Sequence, residues 1–143
     1  MKLAKVNTAK VEGGAWVGDI PDMGDLRLRV RGINNARYRR LQQELINAVP
    51  RSERRKGRLD PEAIDNVTAT CLLRTVLLGW ENLECEDGRP VPFSEEQAKV
   101  YLTDPAYRAF YDAVVYAATI VGEDDAEADK ADEGNSASAS AGP

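Results

Sequence analysis

The sequence predicts an α+β fold: a mainly helical body of about four helices, with a small N-terminal β element and a short acidic hairpin. Three observations carry this prediction. Leu26-Arg27-Leu28-Arg29-Val30-Arg31 alternates apolar and basic residues without a break, which is the period of a half-buried strand. Downstream, apolar residues recur at helical spacing in stretches opened by capping residues and prolines. Asp87-Gly88 then stands between two short extended segments, a dipeptide suited to a tight turn.

Each element has its own local reason. Ala15 to Ile20 reads as a short strand stopped by Pro21, and Asp22 to Asp25 as a turn. The next strand puts Leu26, Leu28 and Val30 on one face and Arg27, Arg29 and Arg31 on the other. Asn34 or Asn35 can cap the first long helix, whose stripe is Tyr38, Leu41, Leu45 and Val49 and which Pro50 ends. Arg51 to Arg58 reads as a solvated basic loop. Asp60-Pro61 opens a helix expected to run to Leu78, the centre of the fold. Its buried side should hold Ile64, Val67, Cys71, Leu72, Thr75 and Leu78, with Gly79 as its C-terminal stop. Ser94 and Gln97 form a capping box for a short helix to about Leu102. Asp104-Pro105 starts the last helix, to about Val121, with a broad face of Tyr107, Phe110, Tyr111, Val114, Val115, Ala118 and Val121.

The 143 residues allow one domain, assigned to residues 1–122, and a tail. Residues 123–143 contain no large apolar side chain, so burial cannot offset their ordering entropy, and a disordered acidic tail is expected. Charge is segregated. Arg27 to Arg58 carry a net +9, Leu59 to Gly122 a net −7, and the tail a net −6. Intramolecular pairing of these segments is the first expectation.

Composition excludes several chemistries. There is no histidine, which removes histidine-dependent triads and histidine metal sites. Cys71 and Cys85 lack a second pair, so no zinc motif exists, and Cys71 is expected to be a buried thiol. No stretch reads as a signal peptide, and the apolar runs are too short to span a bilayer. Glu84, Glu86 and Asp87 lack the offsets of a calcium loop and read as a solvated acidic hairpin. No catalytic, metal or cofactor site is therefore assigned, and the protein is expected not to be an enzyme.

Two binding surfaces remain. Arg51, Arg54, Arg55, Lys56 and Arg58, extended by Arg27, Arg29 and Arg31, form a cluster of the kind that binds phosphate. Against nucleic acid stands the net charge of −5. Trp16 and Trp80 either anchor an interface or fill the core, with core favoured for Trp80. The small residues of Ala113 to Val121 admit a partner helix, though core packing is the first expectation. Candidate partner-binding residues are Trp16, Arg27, Arg29, Arg31, Trp80, Tyr107, Phe110, Tyr111 and Val114.

One ordered set of features extends over most of residues 15 to 122. A Trp-containing strand and the basic strand lead to Asn34-Asn35-Ala36-Arg37-Tyr38-Arg39-Arg40 and an Arg-rich loop. Val76-Leu77-Leu78-Gly79-Trp80, the hairpin Glu86-Asp87-Gly88-Arg89-Pro90-Val91-Pro92-Phe93-Ser94 and Leu102-Thr103-Asp104-Pro105 follow. This order resembles the tail assembly chaperones of long-tailed bacteriophages and prophages. The resemblance implies a non-enzymatic helper in the host bacterial cytoplasm. Such a helper coats the long helical tape measure protein, keeps it soluble, helps recruit tail tube subunits and is absent from the finished tail. It also implies weak self-association and a frameshift-extended form of the chain. The alternative is a nucleic-acid-associated phage or prophage protein using Arg27 to Arg58.

Overall fold

The computed structural model describes residues 1–126. Its order is α1 (Thr8–Gly13), β1 (Ala15–Val17), β2 (Arg27–Val30), α2 (Ala36–Ala48), β3 (Arg54–Arg55), β4 (Arg58–Leu59), α3 (Pro61–Cys71), β5 (Leu77–Glu81), α4 (Glu95–Thr103) and α5 (Arg108–Glu123). The α+β class expected from the sequence is what the chain adopts. A small antiparallel sheet, ordered β1-β2-β5, packs its inner face on a helical body.

The alternating strand behaves as its period dictates. Leu26, Leu28 and Val30 are buried, while Arg27 and Arg29 are exposed on the outer face. Trp16 pairs with Arg29 across one side, and Arg29 pairs with Gly79 across the other. The inner face lies against α5, whose Val114, Ala117, Ala118 and Val121 belong to the same core. Asn35 caps α2 by accepting the Tyr38 N–H at 2.8 Å.

The helix expected over Pro61 to Leu78 is shorter. α3 ends at Cys71, a π-turn spans Leu72–Val76, and Leu77–Glu81 is a strand. Thr75 and Val76 are β-branched and Gly79 is a poor helix former, so the local cost of leaving the helix is small. The widened turn swings the chain onto the sheet, where Arg31 N–H donates to Val76 C=O at 2.9 Å. Gly79 is therefore a strand residue facing Arg29 rather than a helix stop. Ile64, expected inside, is 48% exposed. The buried residues of α3 are instead Ala63, Val67, Ala69 and Cys71.

Three smaller differences complete the comparison. The helix α1 was not legible in the sequence. Arg51 to Arg58 contains a two-stranded hairpin, β3-β4, turned at Lys56 and Gly57, both at positive φ. Arg54 Nη2 donates to the Ile46 carbonyl and thereby caps the end of α2. The chain also stays folded past Gly122: Glu123 ends α5, Asp125 bridges Val6, and Ala126 N–H donates to Lys5 C=O at 3.0 Å. The rest of the expected tail, residues 127–143, lies outside the described residues.

Asn35 and Leu72 are fully buried. Asn35 Nδ2 donates to the Gly32 and Thr75 carbonyls at 2.7 and 3.2 Å. Asn35→Ala removes a helix cap and leaves buried groups unsatisfied, so it should cost about 2–4 kcal/mol. Leu72→Ala should cost about 2–5 kcal/mol through cavity formation. Asn47→Ala, on the exposed side of α2, should cost under about 0.5 kcal/mol. Urea titrations of the three variants check this ranking.

Candidate partner-binding groove

An aromatic cluster runs from the core to the surface. Trp80, only 6% exposed, meets Phe93 at 4.8 Å, Tyr101 at 5.8 Å and Phe110 at 5.6 Å between ring centroids. Tyr101 in turn meets Tyr107 at 4.7 Å and Phe110 at 5.3 Å. The edge and tilted geometries are those favoured by ring quadrupoles. Tyr107 ends the series at the surface, 42% exposed.

Local structure explains how these rings meet. β5 delivers Trp80 inward, and its indole N–H donates to Val91 C=O at 2.7 Å, pinning the acidic hairpin over the core. Ser94 accepts the Gln97 N–H at 3.1 Å and opens α4, which presents Tyr101. Asp104 accepts the Ala106 N–H at 2.9 Å and sets the short turn carrying Tyr107 into α5.

On the solvent side of these rings is a hollow of about 660 Å³. Met23, Leu83, Tyr101, Tyr107, Ala109 and Phe110 form its apolar lining, and Glu84, Glu86 and Asp87 form its rim. A second hollow of about 320 Å³ shares Met23 and Ala109 with the first and continues to Asp112, Ala113 and Tyr116. Together they make a groove from Ala106, in the turn before α5, along that helix to Tyr116, about 15 Å. Ala106, Ala109 and Ala113 keep its floor low, so another helix can approach closely.

The hairpin rim is hydrogen-bonded as well as acidic. Cys85 N–H donates to Arg89 C=O at 2.9 Å, and Gly88, at φ +85°, closes the turn. Arg89 pairs with Asp87 at 2.8 Å. The Cys85 thiol donates to Asp87 Oδ1 at 2.8 Å, and that carboxylate beside it pushes the thiol above its ordinary pKa. Among the described residues no cluster could hold a metal ion.

The residues expected to bind a partner fall into three groups. Tyr107 and Phe110 line the groove, with Trp80 behind Phe110. Tyr111 and Val114 turn away from it. Val114 is fully buried, and Tyr111 sits under the Arg108 guanidinium, 4.1 Å from the ring centroid. Trp16, Arg27 and Arg29 lie on the outer face of the sheet, where Arg27 stacks 5.2 Å from the Trp16 ring and pairs with Glu81 at 3.0 Å. Arg31, at the end of that strand, donates to Glu12 C=O at 3.0 Å. Of the stretch Ala113 to Val121, the small residues Ala117 and Ala118 are inside the core, as first expected. Sequence reading missed Met23, Leu83, Ala106, Ala109 and Tyr116. The signal was a second stripe on α5, small residues and a tyrosine at positions 106, 109, 113 and 116.

Residues 33–135 match the family of the YdaY prophage protein, and with most of the chain covered, the protein belongs to that family. No curated protein and no solved structure matches it. Membership makes this a phage or prophage protein, in line with the origin implied by the resemblance. No helix among the described residues is long and apolar enough to cross a membrane.

The groove chemistry gives a direct test of the hairpin. Asp87→Ala removes the hydrogen-bond acceptor, and with it the charge, that raise the Cys85 pKa, so more thiolate exists at a given pH. Iodoacetamide should then modify Cys85 several-fold faster at pH 8, on the order of the thiolate gain, while buried Cys71 stays protected. Peptide mass mapping over time reads both rates.

Proposed function

We propose that this prophage protein is a tail assembly chaperone: it binds the tape measure protein, keeps it soluble and helps recruit tail tube subunits. In this reading it works in the host bacterial cytoplasm, is not an enzyme and leaves before the tail is finished. The observation that carries the reading is the α5 groove. Its apolar floor of alanines and aromatic rings suits the stripe of an amphipathic helix. A long helical partner exposes such a stripe until the tube encloses it, and a soluble protein must cover it. The prophage family supports the setting.

The exposed hairpin supports a second reading. Arg55, Lys56 and Arg58 project at the β3-β4 turn, and among the described residues only Arg55 has an acidic partner there, Asp60 at 3.5 Å. That patch can meet a phosphate backbone, but binding through it rests on counterion release alone.

Co-expression with the tape measure protein, followed by pull-down and size-exclusion chromatography, tests the proposal. The wild-type chain should raise the soluble fraction of that partner and elute with it. Ala109→Trp fills the groove from an exposed position, so it should abolish co-elution while leaving the melting temperature within about 2 °C. Equal insolubility of the partner with and without the chain, and no complex, would sink the assignment. Duplex DNA should bind weakly and be released by about 0.2 M salt. Sub-micromolar, sequence-selective binding at that salt would favour the second reading.

A further inference from the structure

Among the described residues, few of the segregated charges pair with each other. Among the described residues, only Arg27–Glu81 and Arg55–Asp60 join the basic segment 27–58 to the acidic segment 59–122. Strand direction explains why. β1 and β5 both run antiparallel to β2, so the turn 18–25 and the end of β5 lie at one end of the sheet. That end carries exposed Asp19, Asp22 and Asp25, tied to the acidic hairpin by the Asn82 side chain, which donates to Asp25 C=O at 3.0 Å. None of these three aspartates is ion-paired among the described residues.

The other end is basic. β2 leaves the sheet through Arg31 and turns into α2, whose first turns expose Arg37, Arg39 and Arg40. Glu12 beside it is used in the fold: its carboxylate accepts the Ala36 N–H at 2.9 Å, and its carbonyl accepts from Arg31 and Arg37 at 3.0 and 3.3 Å. The Arg31 guanidinium is held below its ordinary pKa, first by partial burial and then by Arg37, which together outweigh the opposing charge of Glu12. Six residues of extended chain separate Asp25 from Arg31, about 20 Å, more than twice the screening length at physiological salt. The two ends cannot neutralise each other within one copy.

We infer that they do so between copies: the acidic end of one molecule, Asp19, Asp22 and Asp25, docks on the basic end of the next, Arg29, Arg31 and Arg37. A contact between two different ends is heterologous and does not close on itself, so it adds copies in a line. A second copy fits this site better than a polyanion does, since both complementary surfaces belong to the chain and its net charge is −5. The acidic end borders the α5 groove at Asp22 and Met23, whereas Arg29, Arg31 and Arg37 do not line it, so the basic end tests the inference apart from the chaperone reading.

Sedimentation analysis of the full chain tests it, with two variants at exposed positions. Asp19→Asn/Asp25→Lys alters the acidic end; asparagine keeps the left-handed backbone at residue 19, where φ is +51°. Arg29→Glu/Arg37→Glu alters the basic end. At low salt the wild-type chain should self-associate, and about 0.5 M salt should weaken this at least tenfold. Each variant alone should be monomeric with an unchanged melting curve. Mixed one to one, they should associate again, because the mixture restores one native contact. A monomeric wild type at low salt, variants that associate like wild type, or a mixture that stays monomeric would each overturn the inference. So would arginine-dependent binding of duplex DNA without self-association. Retained capture of the tape measure protein by Arg29→Glu/Arg37→Glu, whose positions do not line the groove, separates this result from the groove.

Discussion

Four residues, Gly32 to Asn35, hold this fold together. Gly32 N–H donates to Val11 C=O at 3.0 Å, and Ile33 N–H donates to Ala118 C=O at 3.0 Å. The Asn34 side chain reaches Gly122 C=O, and Asn35 joins the start of α2 to the Thr75 carbonyl in the π-turn. One corner therefore ties α1, α5, α2 and the helix-to-strand crossing to the end of β2. A buried amide in such a network is stabilising only when every group is satisfied, and this one is. Gly32 permits the approach: a β-carbon there would lie 2.8 Å from Asn34 Oδ1 and 3.0 Å from Val11.

What was legible in the sequence is what local rules decide. The β2 alternation, the caps at Asn35, Ser94 and Asp104, and the turn at Asp87-Gly88 depend on a few neighbouring residues each. What was not legible depends on distant partners. Leu72 to Trp80 is apolar nearly all round, so neither a helical nor a strand period stands out. The free edge of β2 decides for a strand, and the Asn35 amide receives the carbonyl that the π-turn exposes. Similarly, α1 has six residues and one buried side chain, Val11, and is held by contacts to Gly32 and Asp124 rather than by its own pattern.

The site was half legible for a related reason. Aromatic residues on α5 draw attention, and Tyr107 and Phe110 do line the groove. Yet a concave surface needs low points as well as high ones, and alanines carry no signal until a helix orientation is known. The core stripe of Val114, Ala118 and Val121 sets that orientation, and the stripe at 106, 109, 113 and 116 then becomes the floor. The acidic residues 84 to 87 make no metal loop, and in three dimensions their place is the groove rim.

The two surfaces have physics suited to a transient helper. An apolar groove of about three helical turns offers modest area, and exposed charges about 8 Å or more apart are screened at physiological salt. Each contact alone is weak and readily reversed. Contacts repeated along a line act together, because a neighbour already in place raises the local concentration of the next. On the proposed reading, many copies would then hold a long partner that no single copy holds tightly. They can also be displaced one at a time, since removing a terminal copy breaks one groove contact and one end contact. A coat that must yield to an advancing tube needs that combination: collective hold, individual release, and no covalent step to reverse.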